Sequence, residues 1–437
     1  MNHTIFPLSV NLKIPSVYFL FLIFKFGYNS YTDINPINEG QPMPTQVGMG
    51  FSQSIDVSAA VYEAMTQTRQ QTRKYKIDFV LIFHTNHYHP EEFLPVIREN
   101  FKEAKLIGCS AAGIISSNFV GTRGLALLAV SSDDTVFSMG FINNLTNQNA
   151  YQSGSLLGRD AIHNFGQHQR KAFVYFGSDL TENNTVLMEG LRGAFGSFFP
   201  VMGASVNDYF QTGKSYQYCN DYVLTNGLVG FLLGGRLSLG VGNRHGFKPL
   251  GRPRAIDHTH GNTIYLIDGQ PAVKIYDDYF GDEARSLRTT ARSSISVLYP
   301  LGIYFEGEKE YLLRNVLVAQ NDGSLLCQGE IPSGSETHLM ISNKDACIAA
   351  TTEAALEAKK QLGDKSPLMI LVIASFMRFT FLGREAFKEI QAIKEIFGAR
   401  IPIMGMYAFG EIFPSQVFTE TSVVHLQNGS ITIMAIG

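Results

Sequence analysis

The sequence predicts an α/β fold of three repeated strand-helix-strand units with glycine turns, plus an α+β insert between the second and third repeats. Three observations carry this. A glycine motif is written three times, as Gly108-Cys-Ser-Ala-Ala-Gly113, Gly203-Ala-Ser-Val-Asn-Asp208 and Gly405-Met-Tyr-Ala-Phe-Gly410-Glu411. Each copy is preceded by the same succession of apolar strand, amphipathic helix and second strand. The step from Gly203 to Gly405 is about twice that from Gly108 to Gly203, so extra chain has been inserted there.

Each repeat opens with a helix-like segment, over residues 56–74, 153–171 and 343–362, the last rich in the strong helix formers Ala, Glu and Lys. Apolar runs of strand length follow at residues 79–83, 172–176 and 369–373. They are continuous rather than alternating, as a strand covered on both faces requires. The next segments carry apolar residues at helical spacing: Phe93, Val96, Ile97 and Phe101; Leu187, Leu191, Phe195 and Phe198; Ala386, Ile390, Ile393 and Phe397. After each glycine motif comes strand-like material with a turn signal, Ser-Asp-Asp within 125–141, Gly234-Gly235 within 228–241, and Asn428-Gly429 within 423–436; the last is a strong hairpin signal. Residues 244–342 differ in texture. Turn dipeptides at Asn321-Asp-Gly-Ser324 and Pro332-Ser-Gly334 separate short β-like runs, which predicts the α+β insert.

Composition bounds the function loosely. The 437 residues, 45% of them hydrophobic, suffice for two or three domain-sized units. A formal charge of −3 argues against a nucleic-acid surface. Cys109, Cys219, Cys327 and Cys347 have neither metal-site nor disulfide-framework spacing, which favours a reducing, cytoplasmic setting. The apolar stretch 17–24 is interrupted by Lys25 and is too short to span a membrane. It has little of a signal peptide's charged start or cleavage site. Residues 1–42 therefore read as an extension, with the folded chain expected to begin near Met43 and a first strand at 47–52.

Once the motifs and the insert are set out, the chain resembles the FIST family, named for F-box and intracellular signal transduction proteins. The carboxy-terminal match is carried by Arg378, Pro402, Gly405, Tyr407, Gly410 and Glu411. Insert segments at Lys248-Pro-Leu-Gly251, residues 266–272, Arg314-Asn315, Gly323-Ser-Leu325 and residues 329–334 add to it, as do residues 107–113 and 202–208 of the amino-terminal half. The resemblance divides the chain into a FIST N-like domain at 43–264 and a FIST C-like domain at 265–437. It implies an intracellular sensory module for a small ligand, an amino acid or related metabolite, acting through a separate signalling protein. One departure stands out: Ser375 occupies a position, three before Arg378, where family members commonly place cysteine.

The residues themselves suggest a ligand-binding pocket of Ser110, Ser205, Asp208, Arg378, Tyr407, Gly410 and Glu411, since open α/β sheets bind ligands beyond the carboxyl ends of their strands. Glycine would let the main chain approach a ligand, or would simply permit tight packing. Arg378 could hold a carboxylate bidentately and Glu411 an ammonium group, or the two could pair with each other. Two alternatives to a sensor stay open: an enzyme with Arg378 as substrate clamp and Glu411 as general base, and a scaffold with a vestigial pocket. The run His84, His87, His89 sits where surface or capping histidines are expected, and Cys109 reads as a small buried hydrophobe. No P-loop, dinucleotide fingerprint or serine-hydrolase elbow is present, and no metal or cofactor is called for.

Overall fold

The computed structural model describes residues 45–72, 76–178, 184–206, 214–290, 293–304, 310–414 and 424–437. The expectations for residues 1–42 and for a start at Met43 lie outside them.

Repeat one comprises β1 (Gln46–Ser52), α1 (Val57–Gln71), β2 (Phe79–His84), α2 (Pro90–Asn100), β3 (Lys105–Ser110), β4 (Gly113–Ser116), β5 (Phe119–Gly121) and β6 (Leu125–Ser131). Repeat two follows the same order with β7 (Thr135–Asn143), α3 (Ala150–His163), β8 (Arg170–Ser178), α4 (Asn184–Phe195), β9 (Val201–Val206), β10 (Gln217–Cys219), β11 (Tyr222–Leu224) and β12 (Gly227–Gly235). Repeat three begins with β13 (Leu239–Arg244) and is then interrupted. The insert contains β14 (Lys248–His260), β15 (Thr263–Ile267), β16 (Gln270–Pro271), α5 (Lys274–Phe280), α6 (Ser286–Thr289), α7 (Ser294–Leu298), β17 (Leu301–Tyr304), β18 (Leu312–Arg314), β19 (Val316–Ala319), β20 (Leu325–Cys327) and β21 (Glu336–Ile341). Repeat three resumes with α8 (Lys344–Leu362), β22 (Met369–Ser375), α9 (Phe376–Leu382), α10 (Phe387–Phe397), β23 (Ile403–Ala408), β24 (Gly410–Pro414), β25 (Val424–Gln427) and β26 (Ile431–Ile436).

Local chemistry explains the helix limits. Asp56 caps α1 by accepting from the Ala59 N–H at 2.7 Å, and Asn343 caps α8 through the Ala346 N–H at 2.8 Å. Gly363, at φ 72°, terminates α8. The helix expected over 153–171 instead ends at His163, because the chain turns at Gly166 (φ 72°) before entering β8.

The three repeats build three six-stranded sheets among the described residues, in the orders β1-β6-β2-β3-β10-β11, β7-β12-β8-β9-β24-β25 and β13-β26-β22-β23-β4-β5. Only the central pairs β2/β3, β8/β9 and β22/β23 run parallel; the other pairs are antiparallel. The hairpin after each third strand is exchanged in a cycle. β4–β5 of repeat one joins the sheet of repeat three, β10–β11 joins that of repeat one, and β24–β25 joins that of repeat two. Side-chain alternation then explains the continuous apolar runs. Phe79, Leu81 and Phe83 of β2 enter one core shared by all three sheets, with Val174 and Phe176 of β8 and Leu371 and Ile373 of β22. The intervening residues pack outward against each sheet's own helices, Val80 and Ile82 in one cluster, Phe173 and Tyr175 in a second, Ile370 and Val372 in a third.

One expectation is corrected. The turns at Ser-Asp-Asp, Gly234-Gly235 and Asn428-Gly429 are not hairpins; each carries the chain from one sheet to the next. β6 is already paired on both sides by β1 and β2, β12 by β7 and β8, and β26 by β13 and β22, so the strand across each turn must pair elsewhere. The boundary expected between residues 264 and 265 lies within β15. The insert has its own mixed α+β character, with strand path β18-β17-β21-β14-β15-β20-β19, β16 paired to β15, and a separate apolar core.

Candidate functional site

The first glycine of each motif lies within a strand, not in a turn. Gly108 pairs with Ile82, Gly203 with Tyr175 and Gly405 with Val372 across the parallel pairs. A Cβ at these positions would stand 2.0, 2.3 and 2.2 Å from the carbonyl oxygen of the paired residue. The repeated glycine therefore serves strand packing, and the ligand-approach reading of it is corrected.

The residues two positions on are equivalent by repeat, and each meets a hairpin from another repeat. Ser110 N–H donates to Tyr216 O, Phe409 N–H to Ser205 O, and Ala112 N–H to Tyr407 O. Ser110 also accepts from the Tyr216 N–H through its hydroxyl at 2.9 Å. Ser110 belongs to the sheet of repeat one, opposite His84. Tyr407 belongs to that of repeat three, its ring packed against Phe376 and Phe379 in the helix-facing core. The structure does bring Ser205, Gly410 and Glu411 together, since Gly410 pairs with Ser205 and Glu411 with Ala204. Asp208 lies outside the described residues.

Arg378, in the first turn of α9, is 1% exposed. Its Nε and Nη2 donate to Glu389 Oε1 at 2.9 and 2.6 Å, Nη1 donates to the carbonyls of His245 (2.7 Å) and Gly429 (3.1 Å), and Nη2 also reaches Cys347 O (2.7 Å) and Thr351 Oγ1 (3.2 Å). Burial works against its charge, but Glu389 more than compensates and the guanidinium is held more firmly protonated than usual. Every face of the fork is engaged by protein, so the bidentate ligand clamp is corrected to a structural tie among β13, the β25–β26 turn, α8 and α10. Its ion-pair partner is Glu389, not Glu411.

Glu411 is fully buried on β24. Its Oε2 accepts from both the N–H (3.1 Å) and the hydroxyl (3.0 Å) of Ser430, while Oε1 has no hydrogen-bond partner. Burial pushes the carboxyl up to about 8, against the opposing hydrogen bonds of Ser430 and Ser375 and the charge of Arg378. At neutral pH it is largely protonated, which suits a hydrogen-bond donor and not a general base.

Ser375 leads from Glu411 to a cavity. It ends β22, its N–H donates to Ser430 O at 2.9 Å, and its backbone is extended at the start of α9. Beyond it a space of about 500 Å³ opens between repeat three and the insert. Phe376, Met377 and Phe409 line it from repeat three, and Ser296, Asn315 and Gln328 from the insert. Mixed apolar walls with a few placed polar groups are typical of small-molecule sites. Gln328 Nε2 donates to Phe409 O, Asn315 Nδ2 donates to Gln328 Oε1 at 3.3 Å, and the Asn315 N–H donates to Asn428 Oδ1 at 3.2 Å. These bonds join the cavity wall to the turn that carries Ser430. Sequence reasoning missed Gln328 and Glu389. It noted Asn315 only within a family segment and Ser375 only as a departure.

The remaining candidates are structural. His84 is buried, contrary to the surface or capping expectation. A carbonyl can only accept, so Nδ1 donates to Thr85 O (2.9 Å), and Nε2 accepts from the Tyr218 hydroxyl (2.5 Å). Burial lowers its pKa to about 4 and keeps it neutral. Cys109 is buried against Met406, with its thiol pKa pushed well up by burial. The four cysteines are free and buried. No group of three or more His, Cys, Asp or Glu side chains among the described residues is arranged to hold a metal ion. No described helix is long and apolar enough to cross a membrane.

Among known proteins, the FIST N domain model matches residues 78–270 and the FIST C domain model residues 272–414. No curated protein matches the chain. Solved structures similar to it include a cyanuric acid hydrolase described as an innovation by structural concatenation, with 7% identity and TM-score 0.35, covering 90% of this chain and 100% of that one. Another is the cyanuric acid hydrolase of A. caulinodans, with 9% identity and TM-score 0.37, covering 90% of this chain and 99% of that one. Likenesses this distant carry no argument about activity. The two adjoining domain matches do identify the chain: it belongs to the FIST family, whose domains are sensory domains of signal transduction.

Proposed function

We propose that this protein is a cytoplasmic sensory module that binds a small metabolite, of the size of an amino acid or its derivatives, in the cavity between repeat three and the insert. The observation that supports this most is the cavity itself: about 500 Å³, walled by aromatic and thioether side chains, with Asn315, Gln328 and Ser375 at its polar end. Glu411, behind Ser375, belongs to the site as a buried supporting carboxyl, and Gly410 and Ser205 set the strand pair that holds it. Tyr407 supports the α9 face through its ring. Ser110 and Arg378 act in the scaffold.

Signalling needs a route out of the site as well as a ligand. The cavity wall is bonded to the turn at Asn428, and Arg314, next to Asn315, donates to Leu426 O of β25 at 2.9 Å. β25 belongs to the hairpin that repeat three contributes to the sheet of repeat two. Occupancy that shifts Asn315 therefore bears on the joint between repeats, where a separate signalling protein can read it. The enzyme alternative is disfavoured because both residues assigned to it serve otherwise: Arg378 has its donors engaged and Glu411 is protonated at neutral pH.

A thermal-shift screen of amino acids and related metabolites on the full chain and on Thr380→Trp tests the reading. Thr380 lines the cavity and is exposed, so tryptophan there obstructs it without disturbing the core. A ligand at about 100 times its dissociation constant should add roughly 2.7 kcal/mol to the wild-type protein and nothing to the variant. Absence of any shift across the screen would favour the scaffold alternative.

A further inference from the structure

The hydrogen-bond directions along the cavity wall are fixed from one end. Phe409 O is a backbone carbonyl and can only accept, so the Gln328 amide must turn its Nε2 toward it. Gln328 Oε1 then faces Asn315, which must answer with Nδ2. That leaves Asn315 Oδ1 as the outer end of the relay. It is buried, on a residue 8% exposed, and has no hydrogen-bond partner. Neither amide can be flipped without placing two acceptors or two donors face to face.

Two other lining hydroxyls point the same way. Ser296 donates its hydroxyl to Ser293 O at 3.0 Å, and Thr380 donates to Phe376 O at 3.2 Å. Ser294 stands exposed at the mouth, where its hydroxyl can donate or accept. Among the described residues no charged side chain lines the cavity. A buried acceptor left unpaired is costly, and a site built around one favours a molecule that supplies the missing donor over one that brings another oxygen.

Resting on the ligand-binding reading above, we propose that the cavity selects a neutral molecule with an apolar body and a primary amide edge, whose N–H donates to Asn315 Oδ1, and that it rejects the matching carboxylate. The carboxylate would set a full negative charge against the unpaired oxygen of Asn315, with no cation among the described lining residues to balance it. The apolar body packs on Phe376, Met377 and Phe409. Direction of hydrogen bonding, rather than charge, is then what the sensor reads.

Matched pairs test this on the full chain: benzamide against benzoate, and 3-phenylpropanamide against 3-phenylpropanoate, titrated at neutral pH beside the broader screen. The expected result is that each amide binds at least about tenfold more tightly than its acid, the size of one well-placed hydrogen bond. Asn315→Leu should erase the preference. Should that variant fail to fold, the wild-type comparison decides alone. Acids that bind as well as or better than amides would overturn the inference and leave the cavity reading standing. The inference is overturned equally, with the cavity reading intact, if neither series binds while another compound in the screen does. If nothing binds at all, the ligand-binding reading itself fails and takes the inference with it.

Discussion

Met377 and Arg378 are neighbours in α9 and belong to unlike surroundings. Arg378 points its fork into a cluster where Glu389, Thr351 and three backbone carbonyls engage it from every side. Met377 faces a cavity whose polar wall ends in an acceptor without a partner. Both regions are buried, and both join repeat three to other parts of the chain. They differ in what lies beside the unpaired atom: at Arg378 every guanidinium donor is engaged by protein and only Glu389 Oε2, inside the packed cluster, lacks a partner, whereas the unpaired Asn315 Oδ1 belongs to a residue that lines a space able to hold a ligand.

The comparison breaks most visibly at Arg378. Arg378→Ala leaves Glu389 buried without its cation, and should cost about 3–5 kcal/mol in denaturant unfolding. Arg378→Lys should recover little, because one ammonium cannot reach the acceptors that the planar fork spans. A near-native stability for either variant would mean that the cluster is not the tie described.

Glu411 sharpens it next. Its folded pKa is raised to about 8, so between the ordinary carboxylate range and pH 8 the folded state binds more proton than the unfolded state. Stability from this group therefore falls as pH rises through that window. Glu411→Gln should lie close to wild type near pH 4 and gain on it progressively up to about pH 8, by an amount on the order of a few kcal/mol. The difference between the two proteins isolates this group from His84, which works in the opposite sense: with a folded pKa lowered to about 4, it costs stability as pH falls below its ordinary range. A pH-independent difference would contradict the buried, protonated carboxyl.

Gly405→Ala comes third. Its Cβ meets the backbone oxygen of Val372, which has no freedom to yield, and overpacking of this kind costs about 1–3 kcal/mol. Gly410→Ala meets only the end of the Leu426 side chain and should cost less. Equal costs at the two positions would undo the packing explanation for the repeated glycine. The smallest effect on stability is expected for Thr380→Trp, within about 0.5 kcal/mol as for other exposed positions, although it should remove ligand binding.

Much of the fold was legible because buried parallel strands and amphipathic helices leave strong local patterns. Residues 79–83, 172–176 and 369–373 read as strands covered on both faces, and so they are. The sheet-to-sheet turns and the cyclic exchange of hairpins were not legible. Asn428-Gly429 has the local chemistry of a hairpin, and only the occupation of both edges of β26 by β13 and β22 shows that it cannot be one. The hairpin at Cys219–Tyr222 passed unnoticed, although Asn220 takes the left-handed conformation its turn needs. At the site, Arg378 and Glu411 were singled out as notable residues, but whether their polar atoms are satisfied depends on contacts from distant segments. Glu389 hid on the apolar face of α10 beside Ile390. Gln328 and Asn315 matter through a relay that begins at a carbonyl some eighty positions away, which no spacing in the sequence encodes.

Methionine methyl NMR reads the location of the ligand directly. Met377 lines the cavity, whereas Met406 sits in the core shared by the three sheets. On titration with a compound that shifts the melting temperature, the Met377 methyl resonance should move and that of Met406 should stay in place. A shift at Met406 with Met377 unmoved would put the ligand in the centre of the three repeats and contradict the account.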